Sequence, residues 1–239
     1  MLCLPHAGGS PAFFRAWPAR LPGVDVVPVQ LPGRGARFSE PAHDSLLAAA
    51  RAIGDAIEPL LDRPYAVFGH CLGAWLGFEV VRRIRRQRLP EPVHLFVSAA
   101  LAPHLSAAQP RLSDLPGPAF RDAVLALGGT GEAVAANDEL LDLLLPVVRT
   151  DFRLAETYRV PDEPPLSCPV TVFAGQQDQP TTEGFEAWER HTTGTFRLVT
   201  LPGGHFFVDH ELPRVLAAVG CELEDAFRRA TPGKPEEGS

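Results

Sequence analysis

Six short apolar runs without polar alternation recur along the chain: LCL (2–4), VDVVPV (24–29), YAVFG (65–69), VHLFVSA (93–99), PVTVFAG (169–175) and FRLVTL (196–201). A strand with one face in water alternates apolar and polar residues, whereas a strand buried on both faces does not. Between most of these runs lie stretches with helical spacing, such as SLLAAARAIGDAIEPLL (45–61) and AWLGFEVVRRIRRQ (74–87). Doubly buried strands separated by helices predict a parallel sheet covered on both sides, an α/β, doubly wound fold. With 239 residues, 45% of them hydrophobic, the chain is long enough for one large core, so a single domain over 1–230 is expected.

The alternation breaks between about 102 and 165, where helical periodicity (DELLDLLLPVVRTDF) and proline-rich joints replace strand signals. An insertion of that length between two core strands reads as a helical lid over a pocket, leaving 1–101 and 166–230 as the core. A purely structural helical extension is the alternative. The tail TPGKPEEGS (231–239) has little to bury and is expected to be disordered.

Lysine and arginine supply 22 positive charges against 29 aspartates and glutamates, and the net charge of −7 argues against a nucleic-acid partner. No run approaches the roughly 20 apolar residues of a membrane helix, and MLCLP opens without a charged leader, so no membrane partner and a cytoplasmic location are expected. Cys3, Cys71, Cys168 and Cys221 are widely spaced and form no CxxC pair, which favours free thiols. Cys3, Cys168 and Cys221 read as small buried hydrophobes.

Cys71 has a different setting. In YAVFGHCLGAWLG (65–77) an apolar run passes through Gly-x-Cys-x-Gly into an amphipathic stretch, the pattern of a nucleophile elbow. The bend from strand to helix is sharp enough to demand small residues on both sides, which Gly69 and Gly73 supply. The sulfur of Cys71 then sits at a helix N-terminus, where the positive end of the dipole favours a thiolate. An inert buried cysteine at a helix start is the plain alternative.

On an elbow of this kind the partners follow in the order nucleophile, acid, histidine. Asp178 in GQQDQP follows the run PVTVFAG, and His205 in PGGHFF follows FRLVTL, so both fall on loops at C-terminal strand ends. His205 is the candidate base and Asp178 the residue that orients it. His191, His43 and His94 have ordinary structural readings, His210 is a weaker base candidate already in the last helix, Asp209 could replace Asp178 only by reaching behind the imidazole, which a near neighbour in sequence seldom does, and His70 reads as a packing and hydrogen-bonding residue pointing away from the thiol. An acyl-transfer site also needs oxyanion donors. The N–H of Leu72, directly after Cys71, is one candidate, and the N–H of Ala7 in the glycine-rich PHAGGS (5–10) is the other.

Arg34 and Arg37 in LPGRGARF lie in a loop near the same edge and read either as contacts for a phosphate or an acidic partner, or as solvated surface arginines. Phe13, Phe14 and Trp17 recur at helical spacing, which favours packing over pocket lining. No cluster has metal-ligand spacing and no GxxxxGK is present, so neither a metal nor a nucleotide cofactor is expected.

Taken together, LCLPHAGGSPAFFRAWPARLP, VQLPGRGARFSEP, FGHCLGAWLGFEV, FAGQQDQPT and LPGGHFFV resemble, in order and over nearly the whole chain, the type II thioesterases that accompany polyketide and nonribosomal peptide synthases. The resemblance implies an α/β-hydrolase fold with a helical lid, no cofactor, and acyl thioesters presented on the phosphopantetheine arm of an acyl or peptidyl carrier protein. By motif it maps the nucleophile to Cys71, the acid to Asp178, the base to His205 and the oxyanion donors to Ala7 and Leu72. One departure matters: cysteine stands where the family normally has serine. Passage of an acyl group from one thioester to another is nearly isoenergetic, and the trapped acyl group stays activated toward water, a thiol, an amine or an internal hydroxyl. Hydrolysis is the leading expectation, with transfer or cyclisation second and a non-catalytic carrier-protein binder third.

Overall fold

The computed structural model describes residues 1–108, 111–179 and 181–230, so the expected disorder at 231–239 lies outside the described residues. Strands β1 (Leu2–Leu4), β2 (Val27–Pro28), β3 (Ala66–His70), β4 (His94–Ser98), β5 (Val170–Gly175) and β6 (Phe196–Leu201) form one sheet in the order β2-β1-β3-β4-β5-β6. Every pairing is parallel. Each apolar run becomes a strand, but VDVVPV contributes only Val27 and Pro28. That strand is the sheet edge, where a proline without an N–H is tolerated.

The helices are α1 (Leu46–Ile57), α2 (Leu72–Arg86), α3 (Gly117–Ala126), α4 (Glu132–Ala135), α5 (Asp138–Thr157), α6 (Thr182–Glu186), α7 (Phe207–His210) and α8 (Leu212–Ala230). Among the described residues, none is long and apolar enough to cross a membrane. Ser45 caps α1, its hydroxyl accepting the Ala48 N–H at 3.2 Å, and Asn137 caps α5 by accepting from Leu140 at 3.0 Å. Strand periodicity divides the core. Val67, Val97 and Val172 face α1 and α2, while Phe68, Phe96 and Phe173 face the layer that holds Trp17, Val215 and Val219. Phe14 and Trp17 pack as expected: both are buried, and the Trp17 ring lies 4.6 Å from that of Phe68.

The thiols are free, and Cys3 and Cys168 are buried. Cys221 is a correction, since it is exposed. In α8 the buried positions Val215, Leu216, Val219 and Leu223 follow helical spacing, and two residues from either of the last pair lies the opposite face.

Helices α3, α4 and α5, with two short 3-10 turns at Pro103–Ala108 and Leu112–Asp114, occupy the chain between β4 and β5. This insertion is pinned to the core at its far end, where the Tyr158 hydroxyl donates to buried Glu79 at 2.5 Å and Glu79 also accepts from Arg82 at 2.7 Å. It also presses on loops at the C-terminal strand edge. A Cβ on Gly8 would lie 2.7 Å from Val148 of α5, and one on Gly129 would lie 2.0 Å from the Phe206 ring.

Candidate active site

Cys71 joins β3 to α2 with φ 56° and ψ −118°, a backbone conformation that side chains rarely adopt. Such strain costs about 1–3 kcal/mol and persists only where the surroundings enforce it. Here the Cys71 N–H donates to the Ser98 carbonyl at 2.8 Å, and the Cys71 carbonyl accepts from Ala74 at 3.0 Å. The flanking glycines are sterically required. A Cβ on Gly69 would lie 2.1 Å from the Gly73 carbonyl oxygen, and one on Gly73 would lie 2.1 Å from that of Leu4. The sulfur that results is half-buried and unpaired with any other cysteine.

Two loops bring the remaining partners to the same edge. After β5 and β6 the chain is stitched by Gln176 N–H to Leu201 O and Gln177 N–H to Gly203 O, both 2.9 Å, and the Gln177 side chain accepts from Gly203 at 2.7 Å. Gly175 permits this approach, since its Cβ would lie 2.4 Å from the Gly204 carbonyl. His205 Nδ1 then sits 3.1 and 3.2 Å from the two carboxylate oxygens of Asp178, which is almost fully enclosed. The same imidazole interacts electrostatically with the Cys71 side chain. Burial works against a charge on this ring, yet negative charge on Cys71 and hydrogen bonds to Asp178 and Cys71 outweigh it and raise the His205 pKa to about 10.

The other imidazoles nearby are held neutral. His70, fully buried, hydrogen-bonds Ser98 Oγ at 2.9 Å, and its ring centroid lies 5.5 Å from that of His205. Burial, then the charge on His205, lowers its pKa well below the usual value. Its packing and hydrogen-bonding role matches the expectation, but it lies beside the candidate base. His6, 6.0 Å from His70 between rings, is pushed down to about 4 by burial and then by His205 and Arg34. The remaining rivals sit apart. His94 stacks on Phe96 inside β4, His191 bonds His104 at 2.8 Å, His43 precedes the Ser45 cap, and His210 closes α7. Asp209 is also in α7, and it is Asp178 that bonds His205.

Leu72 opens α2, and Ala7 lies in the loop after β1, the strand paired with β3 through Leu4 and Gly69. Among the described residues neither N–H has an acceptor. Arg34 departs from the sequence reading: it is only 5% exposed, and both its terminal nitrogens bond Asp151 of α5, at 2.5 and 2.7 Å. A buried guanidinium committed to a carboxylate is not available to an arriving phosphate. Arg37 does reach the surface, paired with Glu40 at 2.6 Å. Phe13 stands between packing and site, 4.9 Å from the His6 ring and 5.3 Å from His70.

Sequence reasoning missed His6 and Asp151. His6 is inside PHAGGS beside the candidate donor Ala7, a position that could have drawn notice. The signal for Asp151 is a carboxylate in step with Val147, Val148 and Leu154 on the inward stripe of an amphipathic helix.

Residues 1–221 match the thioesterase domain family. The chain is 38% identical over 224 residues to the linear gramicidin dehydrogenase LgrE of Brevibacillus parabrevis, covering 92% of this chain and 85% of that protein. The dehydrogenase name is that protein's own. Thioesterase PikA5 of Streptomyces venezuelae is 39% identical over 215 residues, covering 88% of this chain and 76% of that one. Among solved structures, the thioesterase RedJ from the prodiginine biosynthetic pathway of Streptomyces coelicolor superposes with a TM-score of 0.88 at 43% identity, covering 92% and 84% of the two chains. With β1 through the first half of α8 inside the matched region, and with relatives covered over three quarters or more of their own length, this chain belongs to the thioesterase domain family.

Proposed function

We propose that the protein is a type II thioesterase that removes acyl groups from the phosphopantetheine thiol of an acyl or peptidyl carrier protein in polyketide or nonribosomal peptide assembly, through a covalent intermediate on Cys71. The observation that carries this reading is the placement at one sheet edge of the strained Cys71 on its elbow and of His205 hydrogen-bonded to the enclosed carboxylate of Asp178. Thioesterase chemistry on this fold calls for no cofactor. The names of the relatives, a probable cadicidin biosynthesis thioesterase and a thioesterase of the prodiginine biosynthetic pathway among them, support the substrate class. Free thiols suit the cytoplasm.

The thiolate attacks the thioester carbon, and the N–H groups of Ala7 and Leu72 stabilise the oxyanion. As the tetrahedral species collapses, the pantetheine sulfur leaves and takes the proton from imidazolium His205. Neutral His205 then removes a proton from water, which attacks the acyl-Cys71 carbonyl. The acid departs, Cys71 returns as thiolate, and His205 is again protonated. Asp178 holds the ring in orientation throughout. The helical insertion acts as a lid over this edge, and exposed Arg37 is a candidate contact for the carrier protein.

The sulfur itself favours a second reading, because an acyl-Cys intermediate retains the activation of a thioester. An acceptor thiol, amine or internal hydroxyl could replace water. The two readings separate when an acyl thioester is supplied with and without a second thiol or amine. Hydrolysis predicts acid at the same rate in both, whereas a new thioester or amide at the expense of acid would assign the protein to transfer.

The raised His205 pKa makes its own prediction. By NMR, the His205 imidazole should titrate near 10, far above its unfolded value of about 6.5. Since the folded value is the higher, the proton on His205 stabilises the native state fully below about 6.5, and this contribution disappears as pH rises through 10. Cys71→Ala should lower the titration. An unchanged value in that variant would show that no thiolate raises it.

A further inference from the structure

We propose that Asp151, carried by α5 of the insertion, is a positioning residue that sets the direction of the oxyanion donor at Ala7. The inference rests on the reading of Cys71 as the residue that accepts the acyl group. Asp151 is 1% exposed and gathers three donors from two separate loops. Its Oδ2 accepts the Gly8 N–H at 2.7 Å and Arg34 Nη1 at 2.5 Å, and its Oδ1 accepts Arg34 Nη2 at 2.7 Å. Arg34 also reaches the Gly9 carbonyl, at 3.4 Å.

The Gly8 bond matters because of where that N–H sits. The His6 carbonyl accepts from the Gly9 N–H at 2.9 Å, closing a four-residue turn with Ala7 and Gly8 at its centre. Gly8 has φ 74°, the positive value that a type II turn requires at its third residue. Type I and type II turns differ by a flip of the central peptide, and the N–H of that peptide belongs to Gly8. While Asp151 accepts this N–H, the flipped turn is disfavoured, since it would aim the Ala7 carbonyl oxygen at a carboxylate. The Gly9–His6 bond holds the peptide before Ala7 and the Asp151 bond the peptide after it, so the Ala7 N–H, the proposed oxyanion donor, keeps its direction while both bonds persist. Arg34 neutralises the carboxylate, so the brace does not repel that negative charge. The brace spans 143 residues and comes from the insertion, with Val148 seated against Gly8, so the oxyanion site is complete only when α5 is in place.

Two paired variants isolate the hydrogen bond. Arg34→Met with Asp151→Asn removes both charges but keeps an acceptor for Gly8, whereas Arg34→Met with Asp151→Leu removes the acceptor as well. Neither leaves an unpaired buried charge. Acylation of Cys71 by a small acyl thioester is expected to fall by about 10- to 100-fold in the Leu variant relative to the Asn variant. Alkylation of Cys71 by iodoacetamide, which needs the thiolate but no oxyanion site, should proceed at equal rates in both and in the wild type. Equal acylation by the two variants, or alkylation falling in parallel with acylation, overturns the inference. A wild-type protein that alkylates at Cys71 but never acylates there overturns the functional reading itself. Should the Leu variant fail to fold, amide exchange in the wild type supplies the same decision: the Gly8 N–H should be protected by at least about a hundredfold, and exchange at the rate of an open loop removes the brace.

Discussion

Cys71→Ala should lower thioester turnover by about four orders of magnitude or more while leaving the thermal midpoint nearly unchanged. Alanine keeps the Cβ, so the strained φ of 56° is no worse tolerated, and the half-buried sulfur contributes little packing. What is lost is the proposed nucleophile, and with it a partner that raises the His205 pKa. Residual activity would come from oxyanion stabilisation and His205 acting on water directly. Cys71→Ser gives a graded outcome. The hydroxyl forms an oxygen ester in a downhill step, so hydrolysis survives, while transfer to an acceptor thiol falls because the ester is less activated. Product analysis of the three proteins with one acyl thioester checks both parts. Wild-type turnover in Cys71→Ala would remove Cys71 from the mechanism.

Gly73→Ala should have the larger effect on folding, a loss of about 4 kcal/mol or more. The added Cβ would meet the carbonyl oxygens of Leu4 and Pro5 at 2.1 and 2.6 Å. These are backbone atoms of β1 and its following turn, and β1 is held on both sides by β2 and β3. The clash can be relieved only by lifting the start of α2 from the sheet, which also displaces Cys71 and Leu72. Gly220→Ala serves as a control. Nothing lies within 4 Å of the added methyl in α8, and exchanging glycine for alanine in a helix interior gains roughly 0.5–1 kcal/mol. Urea denaturation of the two variants should therefore move the midpoint in opposite directions. A Gly73→Ala protein as stable as the wild type would mean that the elbow is not packed this tightly.

Much of this architecture is legible in the sequence because its signals are local. The six apolar runs mark six strands, and the glycines flanking Cys71 announce a bend whose steric need is met within a few residues. Asp178 and His205 are also legible, since each follows a recognisable strand and the parallel sheet carries both strand ends to one edge. Burial of Arg34 is not, because it is caused by Asp151, which lies 117 residues away on a helix whose docking no local pattern records. Its motif reads as a surface loop until α5 closes over it. Cys221 errs for a related reason: apolar neighbours suggest burial, but the helix phase turns it outward. His70 shows a further limit, because its packing and hydrogen bonding can be read from sequence while the approach of another loop's imidazole cannot.

The most direct test of an acyl intermediate on Cys71 is acid-quenched intact-protein mass spectrometry, with peptide mapping, during turnover of an acyl thioester. The account predicts a mass increase of one acyl group confined to the Cys71 peptide, absent from Cys71→Ala and decaying as free acid appears. Sustained turnover with that sulfur unmodified at every quench time, or the acyl group found on another residue, would contradict it.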